Sequence, residues 1–122
     1  MRKIMVVDDE VEATTLYREV LIMEGFEPII ENESSKAMQA AASASPDLFI
    51  LDLMMPEPDG FKLCRMLRAD PRYRSTPILI ITALDNTDSK IVAMGAGAND
   101  YLTKPFRIHD LSSRIRRLLN MQ

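Results

Sequence analysis

The sequence predicts an α/β fold: a doubly wound, five-stranded parallel sheet in the order 2-1-3-4-5, with five helices. Apolar runs of strand length alternate with helical patterns five times along the 122 residues, the signature of a sheet built from strand–helix–strand units. The runs KIMVV, LFIL and ILII are nearly unbroken, as expected of central strands covered on both faces. Two weaker segments, FEPIIE with Pro28 and the short polar NDYLT, read as edge strands. Proline cannot donate to a sheet ladder and is largely confined to edges or strand starts.

In chain order, strands are expected near 3–7, 26–31, 47–52, 77–82 and 99–103. The first helix, 10–24, sets Ala13, Leu16, Tyr17, Val20 and Met23 on one stripe and stops at Gly25. The second, 34–44, is alanine-rich and starts after Ser34 or Ser35, either of which can cap it. The third spans 59–69 and leads into the loop DPRYRSTP. The fourth, 86–95, runs into Gly95 and Gly97. The fifth, 107–120, is expected to bury Ile108, Leu111, Ile115, Leu118 and Leu119. Residues 1–122 suit a single domain with one core.

Hydrophobic residues make up 47% of the chain, which excludes a disordered polypeptide. Lys and Arg total 15 against 18 Asp and Glu, so nothing favours a general nucleic-acid surface. Arg107, Arg114, Arg116 and Arg117 on the fifth helix read as a solvated or protein-docking face rather than a direct nucleic-acid contact. Cys64 is the only cysteine, ruling out an internal disulfide or a zinc cluster; its place in FKLCRML suits plain packing. No segment approaches the roughly 18 apolar residues of a membrane span. MRKIMVVDDE lacks a signal-peptide core and cleavage site. The expectation is a cytoplasmic chain with no membrane contact.

Polar residues stand where the apolar runs end. Asp8 and Asp9 follow KIMVV, Asp52 follows LFI and its last leucine, Thr82 follows ILII, and Lys104 follows NDYLT. In a parallel sheet these groups gather at the carboxyl-terminal edge, where open α/β sheets bind ligands. Mg²⁺ takes oxygen ligands, commonly one or two carboxylates plus a phosphate oxygen. Carboxylates crowded without a cation raise one another's pKa, a penalty that a metal removes. Asp52 is then the nucleophile toward a phosphoryl group, Lys104 a compact positive charge for one of its oxygens, and Thr82 a hydroxyl donor to another. An acidic pair after a strand more often only caps the next helix. The coincidence of four strand ends weighs against that.

The stretches VVDDE (6–10), LDLMMPEPDG (51–60), ITA (81–83) and GANDYLTKPF (97–106), in this order, carry a resemblance. Along essentially its whole length the chain resembles the receiver domain of two-component response regulators, with a flavodoxin-like, chemotaxis-receiver-like fold. The resemblance implies that Asp52 is phosphorylated by a sensor histidine kinase or histidine phosphotransfer protein. It implies Mg²⁺, with Mn²⁺ as substitute, held by Asp9 and Asp52, by the backbone carbonyl of Met54, and by Asp8 mainly through water. Thr82 would move toward the phosphoryl group and Tyr101 would turn inward. The surface of helix four, strand five and helix five would change with them and act on a downstream target, an output domain or a second copy. Such a domain is a regulatory phosphoacceptor that assists its own phosphorylation and dephosphorylation, rather than a turnover enzyme. Lys104-Pro105 is typically cis in the family. Met54 and Leu84 stand where acyl-phosphate lifetime is tuned.

Two positions depart from the common pattern. Glu57-Pro58 stands where many receivers have glycine and an apolar residue, and Asn99 replaces a frequent acid. Other functions fit less well. A receiver-like module that binds without phosphorylation would usually have lost Asp52, the acidic pair or Lys104. A haloacid-dehalogenase-type phosphatase needs a second Asp where Met54 stands, and a flavodoxin needs a Ser/Thr-rich loop where DDEVEA stands.

Overall fold

Residues 1–121 are described by the computed structural model. Strands β1 (Lys3–Val7), β2 (Glu27–Glu31), β3 (Leu48–Leu51), β4 (Ile78–Thr82) and β5 (Asp100–Thr103) pair in parallel as β2-β1-β3-β4-β5. Helices α1 (Val11–Met23), α2 (Ala37–Ala44), α3 (Gly60–Ala69), α4 (Thr87–Gly95) and α5 (Ile108–Leu118) join and follow them. The fold class, strand order and edge assignments are those expected.

Alternation along the strands divides the core of the domain into two layers, one on each face of the sheet, rather than the one core expected. Ile4 and Val6 point into one with Tyr17, Val20 and Leu21 of α1 and Leu111 and Ile115 of α5. Met5 and Val7 point into the other with Ala41 of α2, Leu63 and Leu67 of α3, and Ala93 of α4. Strands β3 and β4 are buried along their whole length, which is why their sequences do not alternate. Each buried aliphatic side chain contributes about 1.5–3 kcal/mol, so the apolar runs carry the stability that holds the polar edge together.

Pro28 pairs with Ile4 in the terminal strand β2. The Glu27 N–H donates to the Arg2 carbonyl at 2.9 Å, so the next nitrogen, that of Pro28, faces away from β1. The missing N–H therefore removes no ladder bond.

Three helical assignments differ from the sequence reading. The buried residues of α1 are Thr14, Tyr17, Val20 and Leu21; Leu16 and Met23 are 43% and 82% exposed. Thr14 can point inward because its hydroxyl donates to the Val11 carbonyl and accepts from the Asn32 amide. Neither Ser34 nor Ser35 caps α2. Ser34–Lys36 is a 3₁₀ turn, and the Ser34 hydroxyl donates instead to the Pro56 carbonyl at 2.8 Å. In α5, Leu111, Ile115 and Leu119 are buried, but Ile108 is exposed and Leu118 half-buried. Asp59 caps α3 through the Lys62 N–H at 2.8 Å. Lys104-Pro105 is cis as expected, and Glu57-Pro58 is cis as well.

Cys64 is fully buried, its thiol 3.5 Å from the Ala96 carbonyl oxygen, and burial pushes the thiol pKa up. It packs. On α5, Arg114 and Arg117 both bind Asp100 at 2.7 Å, and Arg116 pairs with Glu24 at 3.5 Å. Much of that basic face is thus matched within the chain. Among the described residues, no helix is long and apolar enough to cross a membrane.

Arg68, near the end of α3, joins the α3–β4 and α4–β5 loops. Its guanidinium donates to the carbonyls of Gly97 (2.9 Å), Tyr73 (2.7 Å) and Thr76 (2.7 Å), and to the Asn99 amide oxygen (2.7 Å). The same Asn99 oxygen accepts the Ile78 N–H at 2.8 Å. Asn99 thus serves as an acceptor without a negative charge. Arg68→Met keeps the apolar stem but removes these bonds. Bonds to a charged group contribute roughly 1.5–3 kcal/mol, and partial exposure lowers that. A loss of about 2 kcal/mol in urea unfolding is expected; an unchanged midpoint would show that these contacts are replaced by water at no cost.

Candidate functional site

The carboxyl ends of β1, β3, β4 and β5 meet at one edge, because the parallel register carries Val7 alongside Leu51 and Thr82 alongside Thr103. The residues that follow or close these strands form the site. The Lys104 ammonium lies 3.0 Å from Asp8 Oδ2 and 3.0 Å from Asp52 Oδ2, with Glu10 Oε1 at 3.4 Å. Asp8 and Asp52 are almost wholly buried. The second Asp8 oxygen accepts the Glu10 N–H at 3.0 Å, closing the turn into α1, and the second Asp52 oxygen accepts the Met54 N–H at 3.2 Å.

Burial pushes the Asp8 carboxyl above its ordinary range, with hydrogen bonds from the Glu10 N–H and Lys104 pulling the other way. For Lys104, burial works against the charge, but its bonds to Asp8 and Asp52 outweigh that and hold the ammonium well above its usual value. The lysine is therefore a fixed cation between two buried carboxylates. Beneath it, Tyr17 stacks on Phe106 with ring centres 5.9 Å apart.

Carboxylate oxygens of Asp8, Glu10 and Asp52 all lie within 4.8 Å of one another. Three hard oxygen donors at that spacing fit a divalent cation of the Mg²⁺ kind. Asp9 is exposed and stands outside this triplet. It lines a hollow of about 140 Å³ with Asn32, Ser34, Pro56 and Glu57. Met54 stands in the turn after Asp52 with its side chain 59% exposed.

Thr82 is fully buried, and its hydroxyl oxygen accepts the Leu84 N–H at 3.4 Å. Tyr101 is also buried, and its hydroxyl donates to the Leu84 carbonyl at 2.5 Å. Burial pushes its phenol pKa up. Both residues thus engage the same point of the loop after β4. A hollow of about 770 Å³ opens between α4, β5 and α5, lined in part by Lys90, Tyr101, Phe106 and Arg114.

Asp8, Asp52, Thr82 and Lys104 therefore stand at one edge, as their sequence positions require. Glu10 was not anticipated, although VVDDE offers a third acid. Neither was the role of Gly60: a Cβ there would lie 2.1 Å from the Asp52 carbonyl oxygen. Only glycine lets α3 start so close to the acid.

A 2-1-3-4-5 sheet with buried acids and a lysine at its carboxyl edge defines a class, that of two-component receivers. The chain belongs to the response regulator receiver domain family, which it matches over residues 4–116. It is 39% identical over 119 residues to the DNA-binding dual master transcriptional regulator RpaA of Synechocystis sp., covering 98% of this chain and 49% of that protein. It is 38% identical over 122 residues to the response regulator ArlR of Staphylococcus epidermidis, covering 100% and 54%. The chain thus spans about half the length of the curated relatives it matches. Among solved structures, the BeF3-activated N-terminal receiver domain of Klebsiella pneumoniae RstA superposes with a TM-score of 0.92 at 33% identity, covering 98% of this chain and 100% of that one. The Vibrio cholerae chemotaxis protein CheY4 gives 0.92 at 29% identity, covering 97% and 98%.

Proposed function

We propose that this receiver is a phosphorylation-activated switch with Asp52 as its phosphoacceptor. The observation that carries the reading is the Lys104 ammonium held 3.0 Å from both Asp8 and Asp52 in a buried acidic pocket. A carboxylate oxygen of Asp52 attacks phosphorus. The P–N bond of a phosphohistidine donor breaks, the imidazole keeps the electron pair and takes up a proton, and Asp52 is left as a mixed anhydride. Donors are a sensor histidine kinase or a histidine phosphotransfer protein.

Alignment and charge neutralisation dominate such a transfer. Lys104 supplies one fixed positive charge at the acceptor. Asp8, Glu10 and Asp52 offer the oxygen set for Mg²⁺, with Mn²⁺ as substitute; Asp9 and the Met54 carbonyl join it as in the family pattern. A bound cation supplies further neutralisation of the phosphoryl oxygens. Thr82 hydrogen-bonds the phosphoryl group once it forms. The protein acts as a regulated acceptor in the cytoplasm rather than as a turnover enzyme.

The shared contact at Leu84 supports a coupling of Thr82 to Tyr101. When Thr82 turns toward the phosphoryl group, the Leu84 N–H loses its acceptor, and the loop that holds the Tyr101 hydroxyl shifts. The populations of two pre-existing states change accordingly, and the α4–β5–α5 surface changes with them. That surface would act on a partner protein, an output domain or a second copy.

Intact-mass analysis after incubation with acetyl phosphate tests the acceptor. A phosphoryl adduct is expected with Mg²⁺ and is expected to be absent without it and in Asp52→Asn. NMR of the Tyr101 ring in the same sample should report a changed environment. No adduct, even with a cognate kinase, would leave a module that binds partners without phosphorylation, and an unmoved ring would remove the coupling.

A further inference from the structure

The loop after β2 reaches both acidic turns of the site. Asp8 lies one residue beyond β1, and its backbone N–H and carbonyl are both held by residues at the end of β2 and just after it. Its N–H donates to the Glu31 carbonyl at 3.3 Å, and its carbonyl accepts the Asn32 side-chain amide at 2.9 Å. The second N–H of that amide donates to the Thr14 hydroxyl at 3.0 Å. A side-chain amide has two such donors, and both are used. Two residues on, the Ser34 hydroxyl holds the Pro56 carbonyl in the turn that follows Asp52.

The Asp8 carbonyl belongs to the peptide plane that links Asp8 to Asp9. Holding that plane restricts the directions in which the Asp9 side chain can leave the backbone, and steadies the turn that points Asp8 at Lys104. The Asp8 carbonyl can only accept, so a carboxylate in place of the amide would set lone pairs against lone pairs at that contact.

We propose that Asn32 is a positioning residue for the cation site: it orients the acidic pair through the peptide that joins them, without touching the ion. The inference rests on the reading of the acidic pocket as a divalent-cation site. Partners of this kind commonly change metal affinity by about 10–100-fold when removed. A backbone contact one bond removed from the ligand belongs at the low end of that range.

The test is Mn²⁺ binding to the unphosphorylated 122-residue chain, followed by water-proton relaxation, with urea unfolding measured alongside. Asn32→Ala is expected to bind Mn²⁺ about 10-fold more weakly than the parent protein. Thr14→Val loses a buried hydroxyl on the same amide but leaves the Asp8 contact in place; it should lose stability and keep the parent affinity. Asn32→Ser, too short to span both acceptors, should behave as Asn32→Ala and serves if the alanine variant does not fold. Parent-like affinity in the Asn32 variants would overturn the positioning role while leaving the cation site standing. Equal weakening in Thr14→Val would also overturn it, because general loosening of the loop would then be the cause. No Mn²⁺ binding by the parent protein would overturn both this inference and the cation site.

Discussion

Gly60→Ala is expected to destabilise the protein by about 3 kcal/mol, the upper part of the usual range for overpacking, and to prevent the phosphoryl adduct. The added methyl would sit 2.1 Å from the Asp52 carbonyl oxygen and 2.6 Å from the Leu53 Cα. Both are backbone atoms, so no side-chain rotation relieves the clash. The gain from restricting the unfolded chain, roughly 0.4–1 kcal/mol, is too small to compensate. The Gly60 N–H also donates to the Leu53 carbonyl at 3.0 Å, which ties the start of α3 to the residue after Asp52. Either α3 withdraws or the Asp52 peptide turns, and each disturbs the acceptor. Urea unfolding and intact mass after acetyl phosphate treatment report the two effects. Parent-like values for both would mean that the turn has slack that its contacts do not suggest.

Lys104→Met should have a comparable effect for an electrostatic reason. Removing the ammonium leaves two almost fully buried carboxylates beside Glu10 with no cation between them. Breaking a buried pair costs roughly 3–5 kcal/mol; because Glu10 and the pocket mouth are open to solvent, about 3 kcal/mol is expected in metal-free buffer. Adding Mg²⁺ should recover more stability in the variant than in the parent, since the cation then replaces the missing charge. Phosphorylation by acetyl phosphate should slow by about 100-fold, the scale of losing one fixed charge or donor at a reacting group. Urea midpoints with and without Mg²⁺ decide the first point. An identical Mg²⁺ response in both proteins would count against a shared acidic pocket.

The parts of this molecule that sequence made legible are those that a local pattern determines. Apolar runs place β1, β3 and β4, and the polar residue after each run must then stand at the shared edge, so Asp8, Asp52 and Thr82 follow from strand assignment alone. Lys104 follows in the same way from β5. What stayed hidden depends on contacts between distant segments. Thr14 took an inward place on α1 because Asn32 reaches it from the end of β2. Ser34 looked like a helix cap, yet its hydroxyl serves Pro56. Arg68 reads as the polar residue of an amphipathic helix, and only the approach of Gly97, Thr76 and Asn99 turns it into a junction. The family resemblance makes Asp9 a direct ligand, and its exposed side chain stands beside the triplet of Asp8, Glu10 and Asp52. A pattern can say which end of a strand a carboxylate occupies, but not which way the following peptide faces.

Pro28 has a consequence for how these molecules behave together. A terminal strand ordinarily presents a row of donors and acceptors that a neighbouring chain can extend into a longer sheet. In β2 the nitrogens of Pro28 and Ile30 face outward, and the first has no hydrogen to donate, so an approaching strand would lose one donor there and meet the rigid ring in its path. An exposed edge that can be extended in this way is a route to aggregation. This edge strand keeps its bonds to β1 while interrupting the outer row of donors at Pro28.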